Sequence, residues 1–211
     1  MLTVALTGGI ATGKTVVAGV LRRRGCHIAA ADDIAHTVME PEKPAWKRIL
    51  ARFGADILNP DKMINRAKLA EIIFRDEVAR KFVDGIVHPL VLAMMRSEIA
   101  RLAKDGRTKI YVSEAALTIE AGYAEFFDKI VVTFCPEEEQ IRRLMARNRI
   151  SREAARLKIG AQMPSERKLA YADYIVDTGG PVEDTIAQAE ELYEELLLDF
   201  RIKYGAADTP D

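Results

Sequence analysis

Short apolar runs alternate with longer amphipathic stretches along this chain. Residues 3–6, 27–30, 109–113, 129–134 and 174–176 are apolar and rich in β-formers, which predicts five strands. Most are separated by stretches with helical periodicity, the pattern of a parallel sheet with crossover helices. Helices are predicted over 16–24, closed by Gly25, and over 45–53, ended by Gly54. Further helices are expected over 137–148 after Pro136, over 151–163 before Pro164, and over 182–203. The interval from Ile34 to Gly106 is far longer than a crossover needs and is helical in pattern throughout. It holds one helix over 66–75 and a stretch over 77–103 that reads as two helices. The break falls at His88-Pro89, because proline opens helices and disrupts their interiors. Residues 205–211 read as a loose, flexible tail.

Composition narrows this picture without redirecting it. The 211 residues are 49% hydrophobic and 30% charged, ordinary for a globular chain with one well-buried core or a core with a small appended lobe. A formal net charge of -1 points to neither nucleic acid nor an anionic membrane. No apolar run approaches membrane-spanning length, and the start of the chain lacks a basic segment of the signal-peptide kind. Cys26 and Cys135 sit in or beside predicted strands, which is expected of buried thiols in a reducing compartment. Together these features lead to an expectation of a cytoplasmic enzyme domain.

The candidate chemistry begins at the end of the first strand. Gly8-Gly9-Ile10-Ala11-Thr12-Gly13-Lys14-Thr15 fits G-x-x-x-x-G-K-[ST] between a strand and a helix. Glycines let successive N–H groups converge on one anion, and the helix N-terminus adds its dipole. The loop, continued by Val16, is therefore expected to hold the phosphates of a nucleoside triphosphate. Lys14 would bridge the outer phosphates, and the Thr15 hydroxyl would ligate Mg²⁺. A GTPase would also need N-K-x-D, which is absent; Asp177-Thr178-Gly179-Gly180 matches D-x-x-G only formally, after the last strand. A transporter-motor signature of the Leu-Ser-Gly-Gly-Gln kind is absent as well.

Several other residues are candidates for the same chemistry. The second strand runs into Asp32-Asp33, at the carboxyl end of a parallel strand where ligands collect. A carboxylate there can accept the proton of an attacking hydroxyl or support the metal; Asp32 is taken for that role, and Asp33 as a helix cap or outer support. Arg142, Arg143, Arg147 and Arg149 form a basic cluster, with Arg143 and Arg147 four apart on one helical face. A lid bearing them could bring guanidinium charge to a transferring phosphoryl group; a solvated face paired with Glu137–Glu139 is the alternative. Gly179 permits a close backbone approach to the base, or marks a simple turn. Met94 and Met95 read as helical core.

The ordered set of motifs resembles the dephospho-coenzyme A kinase family. It comprises Leu6-Thr7-Gly8-Gly9-Ile10 with Gly13-Lys14-Thr15, and Ala31-Asp32-x-Ile34-Ala35-His36. Phe53-Gly54, Asn65-Arg66-x-x-Leu69, Ile73-Phe74 and His88-Pro89 follow in order. Gln140, Arg143, Arg147, Gln162 and Ala172-Asp173-Tyr174-Ile175-Val176-Asp177 complete it, so the resemblance covers residues 2 to about 180. It implies an α/β P-loop kinase fold: a three-layer core with a five-stranded parallel sheet, an inserted helical acceptor lobe and a helical lid. The core would be 1–37, 106–139 and 170–204, the acceptor lobe 38–105 and the lid 140–169. The implied reaction is transfer from ATP, with Mg²⁺, to the ribose 3′-hydroxyl of dephospho-CoA, giving coenzyme A and ADP. The pantetheine arm would lie toward the helical lobe. Asp32 would be the general base, and Lys14, Arg143 and Arg147 would serve the chemistry. Arg66, His88 and Glu120 would contact the acceptor together with Asp32. A monomer or weak homo-oligomer is expected.

The sequence departs from the family pattern in several places. Ala30 stands where an aspartate is usual, Ala116 and Thr118 replace the usual proline and leucine before Glu120, and Thr178 replaces an asparagine. Two other readings therefore stay open. One is a P-loop kinase for another small acceptor, such as a nucleoside monophosphate or shikimate. The other is a turnover-deficient ATP-binding regulator, motivated by Ala30.

Overall fold

The computed structural model describes residues 1–205; the tail expected over 205–211 lies, beyond Gly205, outside the described residues. The five expected strands are present: β1 (Leu2–Gly8), β2 (His27–Ala30), β3 (Ile110–Glu114), β4 (Lys129–Phe134) and β5 (Tyr174–Asp177). They form one sheet in the order β2-β3-β1-β4-β5, and the β1–β3, β1–β4 and β4–β5 registers are parallel. β1 is central, and the chain leaves its carboxyl end at Gly8, where the phosphate loop begins.

Helices α1 (Lys14–Arg23), α2 (Ala31–Val38), α3 (Pro44–Phe53), α4 (Arg66–Arg75) and α5 (Glu77–Asp105) occupy the first half. After β4 come α6 (Glu137–Asn148), α7 (Arg152–Gly160) and α8 (Ser165–Leu169), and α9 (Val182–Tyr204) closes the described chain. Their ends follow local chemistry. Asn65 caps α4 by accepting from the Lys68 amide, Ser151 caps α7 by accepting from the Ala154 amide, and Pro44 opens α3.

The molecule divides into two compact units. One comprises residues 1–29 with the chain from 101 onward, and the other comprises residues 30–100. In the first, Val4, Leu6, Val112 and Val131 of the sheet pack in one core with Val17 and Leu21 of α1 and Leu192 and Leu196 of α9. Segment 140–169 belongs to this unit, and Ile141, Leu144 and Ala155 form a smaller cluster packed against Ile10 and Ala11. In the second unit the buried side chains are apolar, including Trp46 and Ile49 of α3 and Val83, Ile86, Val87 and Val91 of α5. Cys26 and Cys135 are both buried thiols, as expected; burial pushes Cys26 up to about 12.

Three expectations are corrected. The stretch over 77–103 is one 29-residue helix that passes through Pro89 without a break. A proline ring inside a helix crowds the carbonyl four residues earlier, which here belongs to Gly85. Val83, Ile86 and Val87 before the proline and Val91 and Met95 after it are buried, and each contributes about 1.5–3 kcal/mol. That offsets one lost hydrogen bond. Secondly, α7 stops at Gly160 instead of 163, and a separate α8 follows Pro164. The Gln162 side chain and the Met163 amide bond to neighbouring loops instead of extending the helix. Thirdly, Asp33 does not cap α2. Ala30 holds that position without a side-chain bond, and Asp32 and Asp33 both lie inside the first helical turn.

Candidate active site

The phosphate loop is shaped by contacts that leave no room for side chains. Gly8 has φ +148°, and a Cβ there would lie 2.3 Å from Thr133 Oγ1 and 2.7 Å from Thr12 Oγ1. A Cβ at Gly9 would lie 2.8 Å from both Gln140 Oε1 and Ser165 Oγ. The Thr12 hydroxyl donates to the Gly9 carbonyl at 2.8 Å and lies 2.7 Å from the Thr133 hydroxyl. Ala11 is held at φ 62°, a left-handed conformation costly for a residue with a Cβ. Gln162 Oε1 accepts the Ile10 amide at 2.8 Å, immediately before this strained residue.

Gly13, at φ 83°, turns the chain into α1, and the Val16 amide donates to the Gly13 carbonyl at 3.0 Å. Lys14 folds back along the loop, with Nζ 3.1 Å from the Gly8 carbonyl and 2.9 Å from the Gly9 carbonyl. The Thr15 hydroxyl donates to Glu114 Oε1 at 2.8 Å. Glu114 ends β3, the strand beside β1, and its role is not legible in the sequence because it depends on strand order. Two hard oxygen donors at the head of α1 suit Mg²⁺, which takes few protein ligands and completes its shell with phosphates and water. Among the described residues no group of three or more His, Cys, Asp or Glu side chains could hold a metal, which is compatible with such a sparse site.

Of the two arginines expected to serve the chemistry, Arg143 reaches toward the loop and Arg147 does not. Arg143 donates to the Thr178 carbonyl at 2.5 Å, with Nη1 3.4 Å from the Thr178 hydroxyl and 3.5 Å from the Ala11 carbonyl. Thr178 is buried and its hydroxyl donates to the Thr12 carbonyl at 2.8 Å, so the segment after β5 is tied to the phosphate loop. Arg147 is exposed and bonds Asn148 Oδ1 at 2.9 Å. Glu139 receives both Arg142 and Arg143, and the Arg142 hydrogen bond, aided by Arg143, lowers its carboxyl to about 2. The Gly179 amide donates to Asp177 Oδ1 at 2.8 Å and is engaged within its own turn.

Glu120 stands in the first unit, where Lys168 Nζ lies 2.8 Å from Oε1 and the Met163 amide donates to the same oxygen at 3.1 Å. Within the second unit, Asp32 is exposed in the first turn of α2. Arg66 is exposed at the first position of α4. His88 is half-buried on α5, with Nε2 3.7 Å from Asp84 Oδ1. Between α2, α3 and α5 lies a recess of about 310 Å³ lined chiefly by Val38, Pro44, Leu90 and Met94, with Lys43 and Ser97 among its walls. Met95 is core as expected, whereas Met94 is 40% exposed and faces this recess.

Similarity to known proteins places the chain in a family. The profile of the family described as dephospho-CoA kinase matches residues 2–184. The dephospho-CoA kinase of Syntrophus aciditrophicus (strain SB) is 39% identical over 98% of this chain and 88% of its own. That of Syntrophotalea carbinolica is 41% identical over 93% of each chain. The solved structure of the dephospho-CoA kinase from Campylobacter jejuni superposes with a TM-score of 0.68 at 27% identity, covering 92% of this chain and 96% of that one.

Proposed function

The chain belongs to the dephospho-CoA kinase family, and from that premise we propose how its residues carry out ATP-dependent phosphorylation of dephospho-CoA. The observation that carries the proposal is the phosphate loop itself, with Lys14 along its rim and Thr15 bonded to Glu114. The loop of residues 8–16 receives the phosphates of ATP through those amides not already bonded within it or to Gln162, and Lys14 leaves its resting carbonyl partners to lie between the outer phosphates. Thr15 and Glu114 would hold Mg²⁺, which when bound neutralises charge on the phosphoryl oxygens. Asp32 accepts the proton of the ribose 3′-hydroxyl as that oxygen forms its bond to the γ-phosphorus and the bond to ADP breaks. Its exposure directly after a sheet strand supports this role.

Segment 140–169 serves as the lid. Arg143 braces the nucleotide-side backbone at Ala11 and Thr178, and Arg147, one helical turn further, brings charge toward the transferring group. The Gly179 backbone meets the adenine. On the acceptor side, Arg66 and His88 offer cationic and hydrogen-bonding contacts to the pyrophosphate and ribose, and Glu120 supports the acceptor wall. The apolar recess beside Met94 takes the uncharged part of the pantetheine arm. No helix among the described residues is long and apolar enough to cross a membrane, and we place the reaction in the cytoplasm.

Mass-resolved product formation from ATP·Mg²⁺ tests the acceptor. Dephospho-CoA, a nucleoside monophosphate and shikimate are supplied separately. Coenzyme A and ADP from dephospho-CoA are expected, with no phosphorylated product from the other two acceptors. ATP binding without product from any acceptor would favour the turnover-deficient reading that Ala30 motivates.

A further inference from the structure

The phosphate loop lies against a backstop formed by residues 162–168, the end of segment 140–169, where the proposed reaction gives no individual residue a role. Helix α7 ends at Gly160, which releases Gln162 to accept the Ile10 amide at 2.8 Å. Ile10 precedes Ala11, whose left-handed φ of 62° persists only where surrounding bonds enforce it. Gln162 supplies such a bond from outside the loop.

The other end of the backstop is fixed by an unusual group. Lys168 is fully buried, and its Nζ donates to the Ala116 carbonyl at 2.6 Å while paired with Glu120 at 2.8 Å. The same Ala116 carbonyl accepts the Thr7 hydroxyl at 3.3 Å, and Thr7 immediately precedes Gly8 in β1. Glu120 in turn accepts the Met163 amide at 3.1 Å, next to Gln162. The ion pair thus connects the strand that feeds the phosphate loop to the residue that holds its crest. Burying an ammonium group is expensive, and apolar packing is often an equally stable alternative, so stability alone does not account for it. Directional placement of Gln162 does.

We propose that Gln162 is a positioning residue for the phosphate loop, and that the Lys168–Glu120 pair acts through Gln162 to preset the loop for ATP. The inference rests on this loop being the ATP site. Glu120, which supports the acceptor wall in the proposed reaction, is then also a structural support of the phosphate loop through Lys168 and Met163.

The test measures ATP·Mg²⁺ affinity by calorimetric titration of the whole chain, with the KM for dephospho-CoA and the melting temperature alongside. Gln162→Met removes the acceptor at nearly constant volume. ATP affinity should fall about 5- to 30-fold, as for loss of one bond to a backbone amide, while the KM for dephospho-CoA stays within about twofold. Lys168→Met should weaken ATP binding in the same direction. The Gln162→Met/Lys168→Met double variant should then be no weaker than the weaker single variant, because both act on one bond. Should Lys168→Met fail to fold, Lys168→Gln takes its place, since it removes the buried charge but keeps a donor for the Ala116 carbonyl. Wild-type ATP affinity in Gln162→Met, or effects that multiply in the double variant, would overturn the inference alone. A wild-type chain that binds no ATP would overturn the functional reading as well.

Discussion

The two compact units bury different kinds of side chain. In the first, Thr7, Thr12, Thr133, Gln140, Lys168 and Thr178 are buried polar groups in or around the phosphate loop and its supports. In residues 30–100, among the described residues, the buried side chains are apolar, and the polar candidates Asp32 and Arg66 are exposed. Buried polar groups must satisfy directional bonds, so they specify one backbone path; apolar packing tolerates small shifts. On the proposed reading, the ATP side is therefore built to be rigid before ligand arrives, and the acceptor side relies on an apolar recess and on surface groups that gain their partners when ligand binds.

This contrast can be broken most severely at Gly8. Gly8→Ala would drive a Cβ to 2.3 Å from Thr133 Oγ1 and 2.5 Å from the Thr133 carbonyl, and Thr133 is fully buried. ATP affinity should fall at least about 100-fold, with a stability loss of about 3 kcal/mol or more, measured by nucleotide titration and urea unfolding. A comparably disruptive change in the second unit should instead spare ATP. Met94→Lys places a charge in the apolar recess and should raise the KM for dephospho-CoA about 10-fold while ATP affinity stays unchanged. A fall in ATP affinity there would erase the division of labour.

The smallest effect concerns pH. Glu139 is held at about 2 by Arg142 and Arg143, below its unfolded value, so its contribution to stability is fully present above about pH 4.3. It is lost as pH falls from there through about 2. The stability difference between wild type and Glu139→Gln should therefore be constant from about pH 7 to about pH 5 and shrink in acid, read from urea midpoints across pH. A difference that grows in acid would contradict the ion-pair geometry.

Much of the first unit is legible from sequence because its signals are local. Apolar periodicity locates all five strands to within two residues at each end, and the glycine spacing identifies the loop. Other features depend on contacts distant in sequence. Glu114 gains significance only because β3 lies beside β1, and Gln162 only because α7 stops early and brings it to Ile10. Pro89 misleads for the opposite reason: tertiary burial on both sides of it outweighs a local preference to break the helix. In the second unit, motif resemblance names Arg66 and His88 as acceptor contacts, but nothing local distinguishes them from surface groups. Asp32 is legible as the carboxylate after β2, although α2 begins at Ala31 and places it within the helix instead of on the strand end.

The central claim is that the glycine loop binds ATP and that Asp32 accepts the proton of the acceptor hydroxyl. Asp32→Asn, compared with wild type for both turnover and ATP affinity, tests it most directly. The expected result is a fall in kcat of about 100- to 10,000-fold with ATP affinity unchanged. Wild-type turnover in Asp32→Asn would contradict the claim and remove Asp32 from the chemistry.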